Sequence, residues 1–170
     1  VHKVSYKKFR FENSVHVIYN DVNDIVRRPI MNKTNIEAKL KGNMAFEMEI
    51  NGHKVVTDAT VENGGNGYGP SPKALLLAGL IGCSGIDIML ITGKMRLDIE
   101  DVKVDVEAET RDEDPKIYNY IKLIYKFKGK NLPYDKLERA VKLSMDKYCG
   151  VAAMLNKAVP INYEIQIMEE

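Results

Sequence analysis

The chain has 170 residues, 45% of them hydrophobic and 29% charged, with a formal net charge of +1. That suits a soluble globular domain of ordinary composition, long enough to bury a core. Its basic residues are spread along the chain rather than clustered, which excludes a nucleic-acid footprint.

Residues 1–30 read as an N-terminal extension. Tyr6–Phe11 and Val15–Tyr19, joined at Asn13-Ser14, suit a β-hairpin. Residues 31–170 make a single main domain, with Met31 as an alternative start. From residue 34 to 57 the pattern is that of short strands. Ile36, Ala38 and Leu40 alternate with polar residues, and after Gly42 the alternation resumes through Met44, Phe46, Met48 and Ile50. Asn51-Gly52 is a strong hairpin signal leading into Lys54–Thr57.

Residues 63–70, Asn-Gly-Gly-Asn-Gly-Tyr-Gly-Pro, are glycine-rich but match no phosphate-binding pattern. They read as a flexible lead-in to a helix, with Ser71 placed to cap it and Pro72 at its first position. The helix runs to about Met95 and is apolar on nearly every side. Gly79, Gly82, Ser84, Gly85, Asp87 and Lys94 interrupt it, so a buried core helix is expected rather than a membrane span. Ala74, Ala78 and Gly82 recur at i, i+4, a spacing that lets another helix approach closely. One small domain has little with which to surround such a helix, so a second copy of the chain, a homodimer, is expected to cover it.

Val102, Val104, Val106 and Ala108 then alternate with charged residues, and Ile121, Leu123, Tyr125 and Phe127 form a second strand. A helix starts near Pro133, with Leu137, Ala140, Val141, Ser144, Met145 and Tyr148 on one face. Gly150 interrupts it, Val151 to Ala158 resume it, and Ile161, Tyr163, Ile165 and Ile167 make a last strand. The order reads as α+β, with strands in antiparallel pairs.

Two cysteines are too few for a disulfide scaffold and too far apart for Cys-x-x-Cys. His2, His16 and His53 lack metal-ligand spacing, and no cluster of nitrogen and sulfur ligands is visible, so neither metal nor cofactor is expected. No charged region followed by an apolar run and a cleavage site opens the chain, so a cytoplasmic location is expected.

Two segments carry a family likeness. Gly69-Pro-Ser-Pro-Lys-Ala-Leu-Leu-Leu-Ala-Gly-Leu-Ile-Gly-Cys83-Ser-Gly-Ile-Asp-Ile resembles the first cysteine helix of the OsmC/Ohr family (OsmC-like and organic hydroperoxide resistance proteins). Leu143-Ser-Met-Asp-Lys-Tyr-Cys149-Gly-Val-Ala-Ala-Met-Leu-Asn-Lys-Ala resembles the second. The resemblance covers residues 34–168 and implies an intertwined homodimer, with antiparallel curved sheets around two central cysteine-bearing helices. It implies two-cysteine reduction of organic hydroperoxides, with Cys83 peroxidatic and Cys149 resolving, a small-molecule peroxide as substrate and an external dithiol as reductant. No nucleic acid, membrane or cofactor is implied. Peroxidatic members pair a Glu near the start of the first helix with an Arg from the N-terminal strands. Here Lys73 and Ala74 stand at the matching helix positions, and no Arg lies between Ile36 and Thr57. That departure opens a second reading: a non-enzymatic redox-sensing or small-ligand-binding dimer that lacks the Glu–Arg pair.

The chemistry sets its own demand. A thiolate attacks the O–O bond, and an ordinary thiol titrates near ~8.5. Cys83 lies well inside its helix, with little dipole help, and Asp87 at i+4 opposes its ionisation. A cation is therefore required, from Lys73, Lys39, Lys41 or Arg96. Cys149 stands where the second helix breaks and restarts, so local electrostatics favour it as the more acidic thiol.

Overall fold

The strands follow the period-two alternation of the sequence, although Ile36 and Met44, which belong to that pattern, fall just outside them. The computed structural model describes residues 6–11, 14–19 and 34–168, in two units, Val1–Ile36 and Glu37–Glu170. His2, Asn13 and Met31 lie outside the described residues. In the first unit β1 (Tyr6–Phe11) pairs antiparallel with β2 (Ser14–Tyr19), with Phe11 opposite Ser14. The second strand thus begins one residue earlier than its apolar pattern.

The second unit opens with the antiparallel meander β3 (Ala38–Gly42), β4 (Ala45–Ile50) and β5 (His53–Thr57). Asn51 and Gly52 both take positive φ, 51° and 81°, as the tight two-residue hairpin requires. Leu40 and Phe46 face each other across the first pair and both remain exposed, so the apolar side of this meander is open in the single chain.

The glycine-rich segment departs from expectation. It is tied to the Asp58 carboxylate, which is 1% exposed and accepts N–H bonds from Ala59 (2.8 Å), Asn66 (2.9 Å) and Tyr68 (3.2 Å). Burial alone would raise the Asp58 carboxyl, but these N–H donors outweigh it and hold it below the usual range. Gly65 and Gly69 are there for closeness: a Cβ on either would lie 1.8 Å from the Ala59 carbonyl or 2.2 Å from that of Val56. The loop is an anchored lead-in rather than a flexible one.

Helix α1 spans Pro72–Lys94 with Pro72 at its first turn, as read from the sequence. Ser71 occupies the capping position, but its side chain makes no capping bond; its carbonyl accepts from Ala74 and Leu75 instead. Strands β6 (Ile99–Thr110) and β7 (Tyr118–Gly129) pair antiparallel. Then come α2 (Tyr134–Leu143), a π turn (Ser144–Tyr148), α3 (Gly150–Leu155) and β8 (Ile161–Ile167). Strand β8 runs parallel to β7, so this sheet is mixed rather than wholly antiparallel. The cause is the intervening helices, which form a crossover that returns the chain in its original direction.

Leu80 and Ile88 of α1 pack with Ile121, Leu123, Tyr125 and Phe127 of β7 and with Leu137 and Val141 of α2. Leu80, Ser84, Ile88 and Thr92, spaced four apart, are the buried stripe of α1. Its opposite side, with Leu76, Ile86, Met89 and Leu90, is at least half exposed. By length and composition α1 could cross a membrane, but one stripe of it is committed to this core. The expected all-round cover is present on one side only.

Candidate functional site

Cys83 stands eleven residues into α1, about 16 Å from its start, beyond useful reach of the helix N-terminus. It is half-buried, whereas Cys149 is 1% exposed. Cys149 marks the helix break: its backbone is extended (φ −70°, ψ 101°), and its N–H bonds back five residues to the Ser144 carbonyl at 2.8 Å. The break therefore falls on the cysteine itself, one residue before Gly150. A π turn inserts one residue into a helical winding and so re-aims the side chains beyond it. Here it turns the Cys149 sulfur toward α1.

The result is a three-atom cluster. The Cys83 and Cys149 sulfurs and an Asp87 carboxylate oxygen all lie within 4.8 Å of one another, and both thiols are free. The fully buried Ser144 hydroxyl donates to Asp87 Oδ2 at 3.1 Å. The Ala152 N–H donates to Cys149 Sγ at 3.3 Å, so this sulfur caps α3. Tyr125, fully buried, stands close by, its hydroxyl donating to Met145 Sδ at 3.7 Å.

The electrostatics reverse one expectation. Cys149 does sit at a helix start, yet its thiol is pushed up to about 11. Burial is the main cause; the Ala152 N–H pulls the other way, and Cys83 and Asp87 push further upward. Desolvation outweighs the short helix, and Cys149 is not an acidic thiol. Burial likewise raises the Tyr125 phenol to about 12, opposed in part by a Ser84 hydrogen bond, which leaves it a neutral donor at physiological pH.

Three of the cations proposed to activate Cys83 are engaged elsewhere. Lys73 bonds the Lys116 carbonyl at 2.9 Å and lies over the Tyr118 ring. Lys39 pairs with Glu37 and Lys41 with Glu47. Arg96 lies beyond the end of α1 at φ 56°, thirteen residues past Cys83. Among the described residues no ion pair reaches Asp87.

Sequence reading picked out both cysteines and noted Asp87 only as an opponent of ionisation; it missed Ser144 and Tyr125 as neighbours of the sulfurs. The signal for Asp87 was present: it is the lone acid of an apolar helix, one turn from a cysteine. Nothing in the sequence foretold the π turn that brings in Ser144.

The OsmC-like protein family model matches residues 64–164, a span that holds both cysteine segments and everything around the cluster. The chain belongs to the OsmC-like family. Protein YhfA of Escherichia coli K12 is 38% identical over 117 residues, covering 69% of this chain and 84% of that protein. A crystal structure of an Aquifex aeolicus VF5 protein is 31% identical with a TM-score of 0.70, covering 82% of this chain and all of that one. An organic hydroperoxide resistance protein OsmC from Legionella pneumophila has a TM-score of 0.61 at 18% identity, covering 82% and 99%, and at that distance shares the fold. Family membership thus accounts for the α+β arrangement.

Proposed function

We propose that this OsmC-like protein reduces organic hydroperoxides through Cys83 and Cys149. The observation that supports the reading is the convergence of two free sulfurs from separate helices to within 4.8 Å. Access divides their roles. A peroxide arriving from solvent meets the half-buried Cys83 before the sealed Cys149. The Cys83 thiol takes the terminal oxygen of the hydroperoxide, giving a sulfenic acid and an alcohol. The Cys149 thiol then condenses with the sulfenic acid, forming the disulfide and releasing water. An external dithiol restores both thiols and is itself oxidised to a disulfide.

The protein acts as a cytoplasmic homodimer in this proposal. The exposed side of α1 and the strand beside it bound an open groove of about 590 Å³, lined by Ile81, Ile86, Met89, Leu90 and Val104. A second copy covers that apolar surface and supplies Cys83 with the cation that Lys73, Lys39 and Lys41, engaged elsewhere, do not provide. Engagement of Lys73, Lys39 and Lys41 elsewhere favours the second reading, a redox-sensing or ligand-binding dimer without turnover. Steady-state consumption of an organic hydroperoxide with a dithiol reductant separates the two. Turnover that disappears in Cys83→Ser supports the reductase; its absence in the wild-type protein, with both thiols reactive toward an alkylating probe, supports the sensor.

A further inference from the structure

We propose that Cys83, Asp87 and Cys149 form a binding site for a thiophilic divalent cation, with zinc as the metal whose chemistry fits. The sequence offered no such cluster because Cys149 lies far from Cys83 and Asp87 in the chain, and only the folded helices join them. Folded, the two sulfurs and the carboxylate oxygen lie within 4.8 Å of one another. Tetrahedral zinc, with bonds of about 2.3 Å to sulfur, needs ligand atoms roughly 3.8 Å apart. A contraction of about 1 Å therefore closes three corners of the tetrahedron. Cys83 and Asp87 are already aligned at i, i+4 on α1, and Cys149 sits in extended backbone at a helix break, where a small adjustment is easiest.

The surroundings supply what coordinating atoms need. Ser144 is fully buried and donates to Asp87 Oδ2, which orients the carboxylate and leaves its other oxygen for a metal. The Ala152 N–H points at the Cys149 sulfur, the direction from which a coordinated thiolate is stabilised. Among the described residues no Lys, Arg or His pairs with Asp87, so the carboxylate has no counter-charge among them. Two sulfurs and one carboxylate select a thiophilic metal over magnesium or calcium, which take all-oxygen sets.

Binding is a proton exchange without oxidation: the cation displaces one proton from each thiol, and two protons leave to solvent. Three protein ligands leave a fourth position for water. With both sulfurs coordinated, neither is available to a peroxide or an alkylating agent, so zinc is a reversible lock on the thiol pair. The inference stands on the three-atom convergence and does not require that the pair reduce peroxides.

The test uses the reduced, chelator-treated full chain, titrated with zinc against a chromophoric chelator and, separately, with cobalt(II) followed by visible absorption. The expected result is one zinc per chain, about two protons released per zinc, and a tetrahedral cobalt–thiolate spectrum. Asp87→Asn, with unchanged far-ultraviolet circular dichroism, weakens zinc binding at least tenfold. Cys83→Ser and Cys149→Ser each abolish the two-thiolate cobalt spectrum, and zinc slows alkylation of both cysteines in the wild-type protein. No zinc retained by the wild type, or affinity unchanged in Asp87→Asn, overturns the proposal. Disulfide formation by hydroperoxide in chelator-treated protein is read alongside: it survives failure of the zinc site, and zinc binding survives failure of the peroxide chemistry.

Discussion

Cys83 lies mid-helix on α1 and is half-buried, whereas Cys149 lies at a helix break and is sealed. The first is positioned by regular structure: a continuous helix fixes it relative to Asp87, and the core stripe of Leu80, Ser84 and Ile88 beside it fixes the helix. The second is positioned by an irregularity, the π turn from Ser144 to Tyr148, without which a continuous helix would carry its sulfur elsewhere. Burial then decides their chemistry more than helix position does. The sealed thiol is raised to about 11 despite its place at a helix start. A cysteine so raised is a poor first attacker but a suitable partner for an electrophilic sulfenic acid already beside it.

The largest effects come from removing one sulfur at a time. Cys83→Ser should abolish hydroperoxide consumption entirely. Cys149→Ser should allow a single turnover and then accumulate sulfinic acid at Cys83, visible by mass spectrometry as added oxygen. Equal loss without oxygen addition in the second variant would erase the distinction between the two roles.

The next effect is on stability. The Cys149 thiol is raised to about 11 by folding, and the Tyr125 phenol to about 12. For a group raised in this way, the stabilising contribution is complete below the unfolded value and is lost as pH climbs through the folded one. Stability of the reduced, metal-free protein should therefore fall between pH 9 and about 12, by on the order of 2 kcal/mol per group. Urea midpoints measured across that range should show the fall, and Cys149→Ala should remove the earlier part of it.

Smaller still is the influence of Asp87, whose charge helps raise Cys149. In a Cys83→Ser background, Asp87→Asn should speed alkylation of Cys149, because removing that charge eases its ionisation. Ser144→Ala removes one hydrogen bond to a carboxylate and should cost about 1–2 kcal/mol in stability, measurable by denaturant unfolding.

Much of this arrangement was legible before folding. Alternation gave the strands, Pro72 gave the start of α1, and Asn51-Gly52 gave the hairpin, because each is a local rule acting on adjacent residues. The parallel placement of β8 was not legible, since it depends on where a crossover lands rather than on the strand's own pattern. Ser71 stands at the capping position but its side chain makes no capping bond, while Asp58, which no local rule marks, holds the glycine-rich loop through the Asn66 and Tyr68 N–H groups. At the site, both cysteines stood out by family likeness, but their meeting with Asp87 and Ser144 required tertiary contact between α1 and the second helical segment.

The pairing of the two sulfurs is the claim on which the rest depends. Reduced protein, freed of metal and treated with one equivalent of an organic hydroperoxide, is digested without reductant and read by mass spectrometry. The account predicts an intramolecular disulfide between the Cys83 and Cys149 peptides, with the loss of two hydrogens and no added oxygen. Two free thiols, or disulfides linking separate chains, would contradict it.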